Sequence, residues 1–492
     1  MRPFNLKKYL RIQTSKINER IKQFGNRLYL EFGGKLFDDF HATRILPGYE
    51  SDSKMQLLLK LKEHVEIVIA ISSEDIIKNK MRSDIGISYD QDVLRLIDTF
   101  RSLGLYIQNV VITKYKQNTL VNKFKKRLEN LGIKVSRHYP IKNYPNDVNF
   151  IISKDGFGKN DYIDVKKELI IITAPGPGSG KLAVALSQLY HDSLMNKTSG
   201  YAKFETFPVW NLALNDPINL AYEAATADLA DKNMIDYYHE RKYHTITTNY
   251  NRDLEAFPVL NSLFKKIYGI SPYASPTDMG VNMVGFCIDN LDECHLAANK
   301  EIIRRYFKSL VEFKRDLTPY KTIERIEKII NDNHINFNLR PCIFKARNVA
   351  DLNKLPATAI TLPDGYTVYG KTTELMGSNS AALLNALKYL ANIPDKIDLL
   401  NKDIITSLQN LKINTFKNSN PRLHLNETLI ALTISAQNDI NSQKALEKLN
   451  SLKGCEVHST VILSHTDQET FAKIGLNLTQ DPYYESTKLF QK

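Results

Sequence analysis

Tryptophan occurs once and cysteine four times in 492 residues. No apolar run approaches the roughly 18 residues that a membrane-crossing helix needs. Each scarcity excludes something. Cys287, Cys294, Cys342 and Cys455 are too scattered for a C-x-x-C redox or metal pair, or for a dense disulfide framework. Cys294 beside His295, with Cys287 upstream, lacks a fourth ligand at structural-zinc spacing, so no metal is expected there. A G-x-S-x-G nucleophile elbow is missing as well. The longest apolar stretches, Val65–Ile71 and Leu169–Thr173, have the length of buried strands. Met1–Arg20 is dotted with Lys, Arg and Asn and holds no signal-peptide core. These features read as a cytoplasmic protein that stays out of the membrane.

What is present is ordinary for a globular chain: 43% hydrophobic and 24% charged residues. The length exceeds what one compact core serves, so two or three domains are expected. Charge is unevenly placed. Residues 1–150 carry 27 Lys and Arg against 16 Asp and Glu, nearly the whole net charge of +12. A basic N-terminal third suits an anionic partner, nucleic acid or phosphorylated small molecule. Lys123–Arg127 reads as one polar helix face, and the aromatic platforms of a single-strand binder are not recognisable. A small anionic or phosphorylated ligand is therefore the expected partner, rather than nucleic acid.

Residues 1–210 alternate short apolar strands with amphipathic helices. Strands are expected at Leu28–Phe32, Glu66–Ile71, Ile107–Thr113, Lys134–His138, Val148–Ser153 and Leu169–Thr173. Helices fall at Asp90–Leu103 and Leu120–Leu131, with Gly104 and Gly132 where helices commonly end. That alternation implies an α/β fold with a mostly parallel sheet covered on both faces. Residues 211–334, where Pro217, Pro258, Pro272 and Pro276 follow Pro208 as punctuation, read as a mainly helical middle domain. Residues 335–492 read as a second α/β domain, with strands expected at Cys342–Lys345, Ala359–Leu362, Thr428–Ile434 and His458–Ser464.

One segment carries readable chemistry. Leu169–Thr173 runs through Ala174-Pro-Gly-Pro-Gly-Ser-Gly180 into Lys181, where a helical pattern begins with Leu182, Ala185, Leu186 and Leu189. Strand, glycine turn and helix in that order form the context of a phosphate-binding loop. Gly176, Gly178 and Gly180 allow the backbone to curl its N–H groups towards an anion, Ser179 adds a hydroxyl, and the helix dipole adds attraction. Lys181 supplies a point charge. The loop resembles the Walker A loop of P-loop proteins, with two departures. Pro175 stands at the leading glycine, and Leu182 stands where a Ser or Thr would ligate Mg²⁺. No cofactor is firmly implied, and Leu182 argues against magnesium.

Other constellations are weaker. His239 and His244 mimic a zinc-protease motif, but a five-residue spacing turns them about 140° apart on a helix, where a four-residue spacing gives about 40°. Glu31-Phe-Gly-Gly-Lys35 closes a strand with a carboxylate, two glycines and a lysine, so Glu31 and Lys35 are candidates to line a crevice. Asn251, Arg252 and Asp253 form a dense polar run. Gly370–Ser380 leads into an apolar helix, a second possible anion site at a helix start. Ser464, His465 and Asp467 are adjacent, which is not the spatial convergence of a triad.

Leu30–Asp39, Thr173–Lys181, Gly200–Pro208, Ser275–Gly280 and His458–Asp467 together resemble the bacterial domain-of-unknown-function family 1846, nearly end to end. The resemblance implies an N-terminal α/β part, a helical insert and a C-terminal α/β part. It defines no functional residues, and the ATP-dependent peptidase label that some relatives carry finds no support here on the peptidase side. The sequence thus favours a nucleotide or phosphorylated metabolite bound at Gly176, Gly178, Ser179, Gly180 and Lys181. Whether the protein acts on the ligand or only senses it stays open, with an RNA-associated role as the remaining alternative.

Overall fold

The computed structural model describes residues 2–34, 36, 37, 39–82 and 86–486. The chain divides into two compact units, Met1–Glu223 with Asp231–Ala297, and Ala224–Ala230 with Ala298–Lys492. The first is built on a six-stranded parallel sheet: β1 (Leu28–Phe32), β2 (Val65–Ser72), β3 (Tyr106–Thr113), β4 (Lys134–Arg137), β5 (Leu169–Thr173) and β6 (Gly200–Phe204). Their spatial order is β4-β3-β2-β5-β1-β6. Every residue of β2 and of β5 is buried. Runs such as Val-Glu-Ile-Val-Ile-Ala-Ile and Leu-Ile-Ile-Ile have no polar alternation because helices cover both faces of the sheet.

The order of the strands positions the site. The connection leaving β2 leads to β3 on one side, while α1 (Lys181–Leu194) leaves β5 and leads to β6 on the other. β2 and β5 are neighbours. Their exits diverge, and the crevice at the carboxyl ends of two such strands is where open α/β sheets take ligands.

A buried carboxylate fixes the far end of α1. Asp192 is fully buried and accepts from the Tyr29 hydroxyl at 2.9 Å, the Tyr162 hydroxyl at 2.9 Å and the Arg27 guanidinium at 3.4 Å. One turn earlier, the Gln188 amide brackets the Ile163 backbone, accepting from its N–H and donating to its C=O, each at 2.9 Å. Tyr29 belongs to β1 and Arg27 lies just before it. The C-terminal half of α1 is therefore tied to the starting edge of the sheet, which leaves its N-terminus at the finishing edge.

The second unit holds a mixed sheet of β7 (Ala357–Thr361), β8 (Thr367–Lys371), β9 (Glu456–Ser459) and β10 (Asn477–Gln480), in the order β8-β7-β9-β10. The β9–β10 pair is parallel and the other two pairs are antiparallel. The helices α2 (Ser378–Leu390), α3 (Leu425–Ser435) and α4 (His465–Ile474) contribute to its core through Leu383, Leu387, Leu432 and Phe471. The guanidinium of Arg340, 1% exposed, pairs with Glu456 and donates to the Asn477 carbonyl at 2.6 Å. That pairing meets the requirement that a buried charge be matched.

Mixed α/β architecture with a parallel N-terminal sheet agrees with the sequence. Several elements do not. Val148–Ile151 is a short helix because Asp147 caps it, accepting from Phe150 N at 3.0 Å. Thr428–Ile434 lies inside helix α3, where the Glu427 carboxylate reaches back to His424 N at 2.7 Å. Cys342–Lys345 lies in the helix Pro341–Asn353, with proline at its first position, where a missing N–H costs nothing. The β6 and β8 strands carry Gly200, Lys203, Gly370 and Lys371, which weakened their β signal.

The Asp192 network makes a stability prediction. Replacing Asp192 with alanine strands two tyrosine hydroxyls and part of a guanidinium, at an expected cost of about 3 kcal/mol. Asp192→Asn keeps an acceptor and costs less. Trp210, the sole tryptophan, lies in the first unit, so the denaturant midpoint of its fluorescence checks the ranking. Equal midpoints for the alanine variant and the wild type would remove this account.

Candidate functional site

The glycine loop leaves β5 at Thr173 and ends at Lys181, the first residue of α1. Gly178 has φ +77° and Gly180 has φ +83°, the left-handed region that side-chain-bearing residues avoid. Gly180 is the helix N-cap and offers no side chain to satisfy the first turn. Two hydroxyls hold the loop from behind. Thr113 Oγ1, at the end of β3, donates to the Ser179 carbonyl at 2.8 Å, and Ser179 Oγ donates to the Gly176 carbonyl at 2.8 Å. In a trans peptide the N–H points opposite to the preceding C=O. Fixing the Ser179 carbonyl on Thr113 therefore turns the Gly180 N–H away from the sheet.

Among the described residues, nothing accepts from the amides of Gly176, Gly178, Ser179, Gly180 or Lys181. The loop is thus a set of donors without acceptors. Tyr89 packs against it: a Cβ on Gly176 would stand 2.2 Å from the Tyr89 hydroxyl, so only glycine fits. The Lys80 ammonium sits 4.9 Å from the centre of that ring. Leu182 follows Lys181 and offers a divalent ion no ligand at the position where P-loop proteins place a hydroxyl.

Glu31 lies on the adjacent strand, in register with Ile172, so the structure brings it to the same edge as the loop. Its carboxylate accepts from the Tyr201 hydroxyl at 2.9 Å. Lys35 lies outside the described residues. Beside Glu31 stands a charged cluster of which the sequence reading singled out only Asp253. Lys203 Nζ contacts Asp253 at 2.7 Å and Glu205 at 3.1 Å. Glu205 covers Gly33, where a Cβ would meet its Cγ at 2.5 Å. Lys203 and Glu205 are two residues apart at the end of β6, and that spacing puts them on one face of a strand. That spacing, together with Gly33-Gly34 closing the neighbouring strand, was the available signal.

The electrostatics of the cluster are unusual. Burial, reinforced by Asp253 and Glu31 and opposed by Lys203, pushes the Glu205 carboxyl up from 4.5 to about 7. Burial works against the charge of Lys203, but Asp253, Glu205 and Glu31 outweigh it and raise its pKa. A carboxyl that titrates near neutrality beside a fixed ammonium can take or give a proton at physiological pH.

The remaining sequence motifs separate. His239 lies within the helix Tyr237–Tyr243 and meets Ser275 Oγ at 2.9 Å, while His244 follows the helix in a left-handed conformation. Among the described residues, no group of three or more His, Cys, Asp or Glu side chains could hold a metal ion. No helix among them is long and apolar enough to cross a membrane. Asn251, Arg252 and Asp253 point to different partners: the Lys232 amide, Asp231 and Lys203. Ser464 donates to Asp467 rather than to a histidine, so no nucleophilic triad forms.

Glu205 gives a pH signature. A carboxyl whose folded pKa exceeds its unfolded one binds its proton more tightly when folded. Its contribution to stability is full below pH 4.5 and is lost as the pH rises through about 7. Buried His138, pushed down to about 4, acts in the opposite sense over part of that range. The informative quantity is therefore the wild-type minus Glu205→Gln difference in Trp210 unfolding midpoint, which should fall between pH 4.5 and 7. A flat difference across that window would show that Glu205 titrates normally.

The N-terminal model of the domain of unknown function DUF1846 matches residues 2–334, and the C-terminal model matches residues 338–490. A UPF0371 protein of Streptococcus equi subsp. equi is 52% identical over 488 residues, covering 99% of each chain. The UPF0371 protein SUB1165 of Streptococcus uberis is 52% identical over 489 residues, again covering 99% of each. A Streptococcus thermophilus relative of the same description is 51% identical over 489 residues, with the same coverage. Similarity of that extent, spanning both halves, places this chain in the DUF1846 family.

Proposed function

We propose that the first unit binds a phosphorylated small molecule, a nucleotide or a phosphorylated metabolite, at the carboxyl edge of its parallel sheet. The phosphate sits on the amides between Gly178 and Lys181, with the Lys181 ammonium as counter-charge. The rest of the ligand lies across the end of β1, past Glu31, towards Lys203, Glu205 and Asp253. β1 separates β5 from β6, so the loop and the charged cluster stand roughly 10 Å apart across the sheet. That is a span suited to a sugar phosphate or a nucleoside phosphate. The observation that carries this reading is the row of unpaired amides at the point where the sheet's connections diverge.

Glu205 supports an enzyme that moves a proton on this ligand, since its carboxyl titrates near neutrality. Leu182 favours a second reading, in which the ligand is bound and sensed without magnesium-dependent phosphoryl transfer. Single-turnover incubation separates the two. Ligand recovered unchanged after hours supports sensing, and a product that disappears with Glu205→Gln supports catalysis.

Binding itself is measured by calorimetric titration of ATP, GTP and common sugar phosphates into the wild type and Lys181→Ala. At least one ligand should bind the wild type, with affinity reduced tenfold or more in the variant. Absence of binding to either protein would overturn the proposal.

A further inference from the structure

The second unit contains a cavity of about 1900 Å³ that the preceding site does not involve. The starts of three helices contribute to its lining: Gly377–Asn379 of α2, His424 at α3, and Ser464, His465 and Asp467 of α4. Two of the three are already satisfied. Asp467 accepts from Leu425 N at 2.7 Å and meets His424 Nδ1 at 3.2 Å, while Ser464 Oγ caps Asp467 N at 3.2 Å. Burial opposes the charge of Asp467, but hydrogen bonds from His424 and Leu425 hold its carboxyl below the usual range. The convergence of α3 and α4 thus carries its own anion, supplied by the chain.

The start of α2 has none. Its N-cap is Gly377, which provides no capping side chain. Among the described residues, nothing accepts from the amides of Ser378, Asn379 or Ser380. Ser378 Oγ is engaged with Thr358 Oγ1 at 2.9 Å. Asn379 is the independent sign of a missing ligand. It is only 4% exposed, it lines the cavity, and its Nδ2 has no hydrogen-bond partner. Its amide oxygen lies against Gly377, where a Cβ would stand 2.6 Å away. A buried amide donor without an acceptor is destabilising, a loss that a bound acceptor removes. Arg315 and Lys417 line the same cavity and form no ion pair among the described residues, while Arg422 is paired with Glu485 at 2.8 Å.

We infer that this cavity binds the phosphoryl group of a small phosphorylated molecule on the open amides of α2 and on Asn379 Nδ2. Three backbone donors and one side-chain donor match the several acceptor oxygens of a phosphoryl group. Arg315 and Lys417 supply the opposing charge. Asp467 also lines the cavity, with its carboxylate engaged by His424 and Leu425. The Gly377-Ser-Asn-Ser380 segment thereby explains the anion-site pattern that the sequence shows at this helix start.

The test titrates inorganic phosphate calorimetrically into four full-length proteins: the wild type, Lys181→Ala, Lys181→Ala with Asn379→Asp, and Lys181→Ala with Arg315→Gln. The Lys181→Ala protein should still bind. Asn379→Asp, which replaces the donor with a carboxylate of the same shape, should weaken binding tenfold or more. Arg315→Gln should weaken it several-fold with an unchanged unfolding midpoint, and it decides the matter if the Asn379 variant fails to fold. Absent binding to Lys181→Ala, or binding unaffected by either second substitution, would overturn the inference. Failure of the loop in the first unit shows separately, as equal binding by the wild type and Lys181→Ala.

Discussion

A strand buried on every side has to leave its sheet somewhere, and in the first unit that exit sets the geometry of the whole carboxyl edge. β5 is hydrogen-bonded to β2 and β1 and is covered above and below, so its chain turns through seven residues into α1 without room for a capping side chain. Glycine at 178 and 180 supplies the left-handed turns, and glycine at 176 admits the Tyr89 ring. The carbonyls are taken by Thr113 and by Ser179, so the donors face outward by elimination. The unpaired amides are the product of a tight exit whose acceptors have been spent on the fold.

That exit is held from a distance. Asp192 and Gln188 tie the other end of α1 to Arg27, Tyr29 and Ile163 at the opposite edge of the sheet. A helix of this length is stiff, so fixing its C-terminal half fixes where its first turn stands. The dipole of α1 and the free amides of the loop consequently share one direction. On the neighbouring strands the same edge collects Glu31, Lys203 and Glu205, and burial there raises the Glu205 carboxyl to about 7. Positioning comes from hydrophobic strands and a buried carboxylate network; the unusual proton affinity comes from crowding three carboxylates around one ammonium.

Much of this was legible in the residues. The strands at Leu28–Phe32 and Leu169–Thr173, and the helices near Asp90 and Leu120, follow from apolar periodicity, and the glycine loop announces itself. Glu31 was recognisable because two glycines follow it. The charged cluster was not, because Asp253 is fifty residues from Lys203 and only the fold joins them. β6 escaped notice since Gly200 and Lys203 dilute its pattern, although its flanks contain the Lys-x-Glu alternation that mattered. In the second unit the error ran the other way. Thr428–Ile434 is rich in β-branched residues, yet the Glu427 capping contact and the packing of Leu432 make it helical. Local propensity lost to tertiary burial there, as it does wherever an apolar run fits either period.

The two units meet one physical problem in different ways. A helix that starts at a sheet edge exposes amides that need an acceptor, and the chain can supply one or leave the place open. At α3 and α4 it supplies Asp467 and Ser464. At α1 and α2 the N-caps are Gly180 and Gly377, and no side chain fills the role. Glycine at an N-cap stabilises a helix less than Ser, Asp or Asn does, so placing it there gives up some stability. In α1 the return is backbone that an anion can approach closely, and in α2 it is backbone against which the Asn379 amide can lie. The buried, unpartnered Asn379 nitrogen makes the point sharper, since a residue chosen for stability alone would not leave a donor unmet inside the protein.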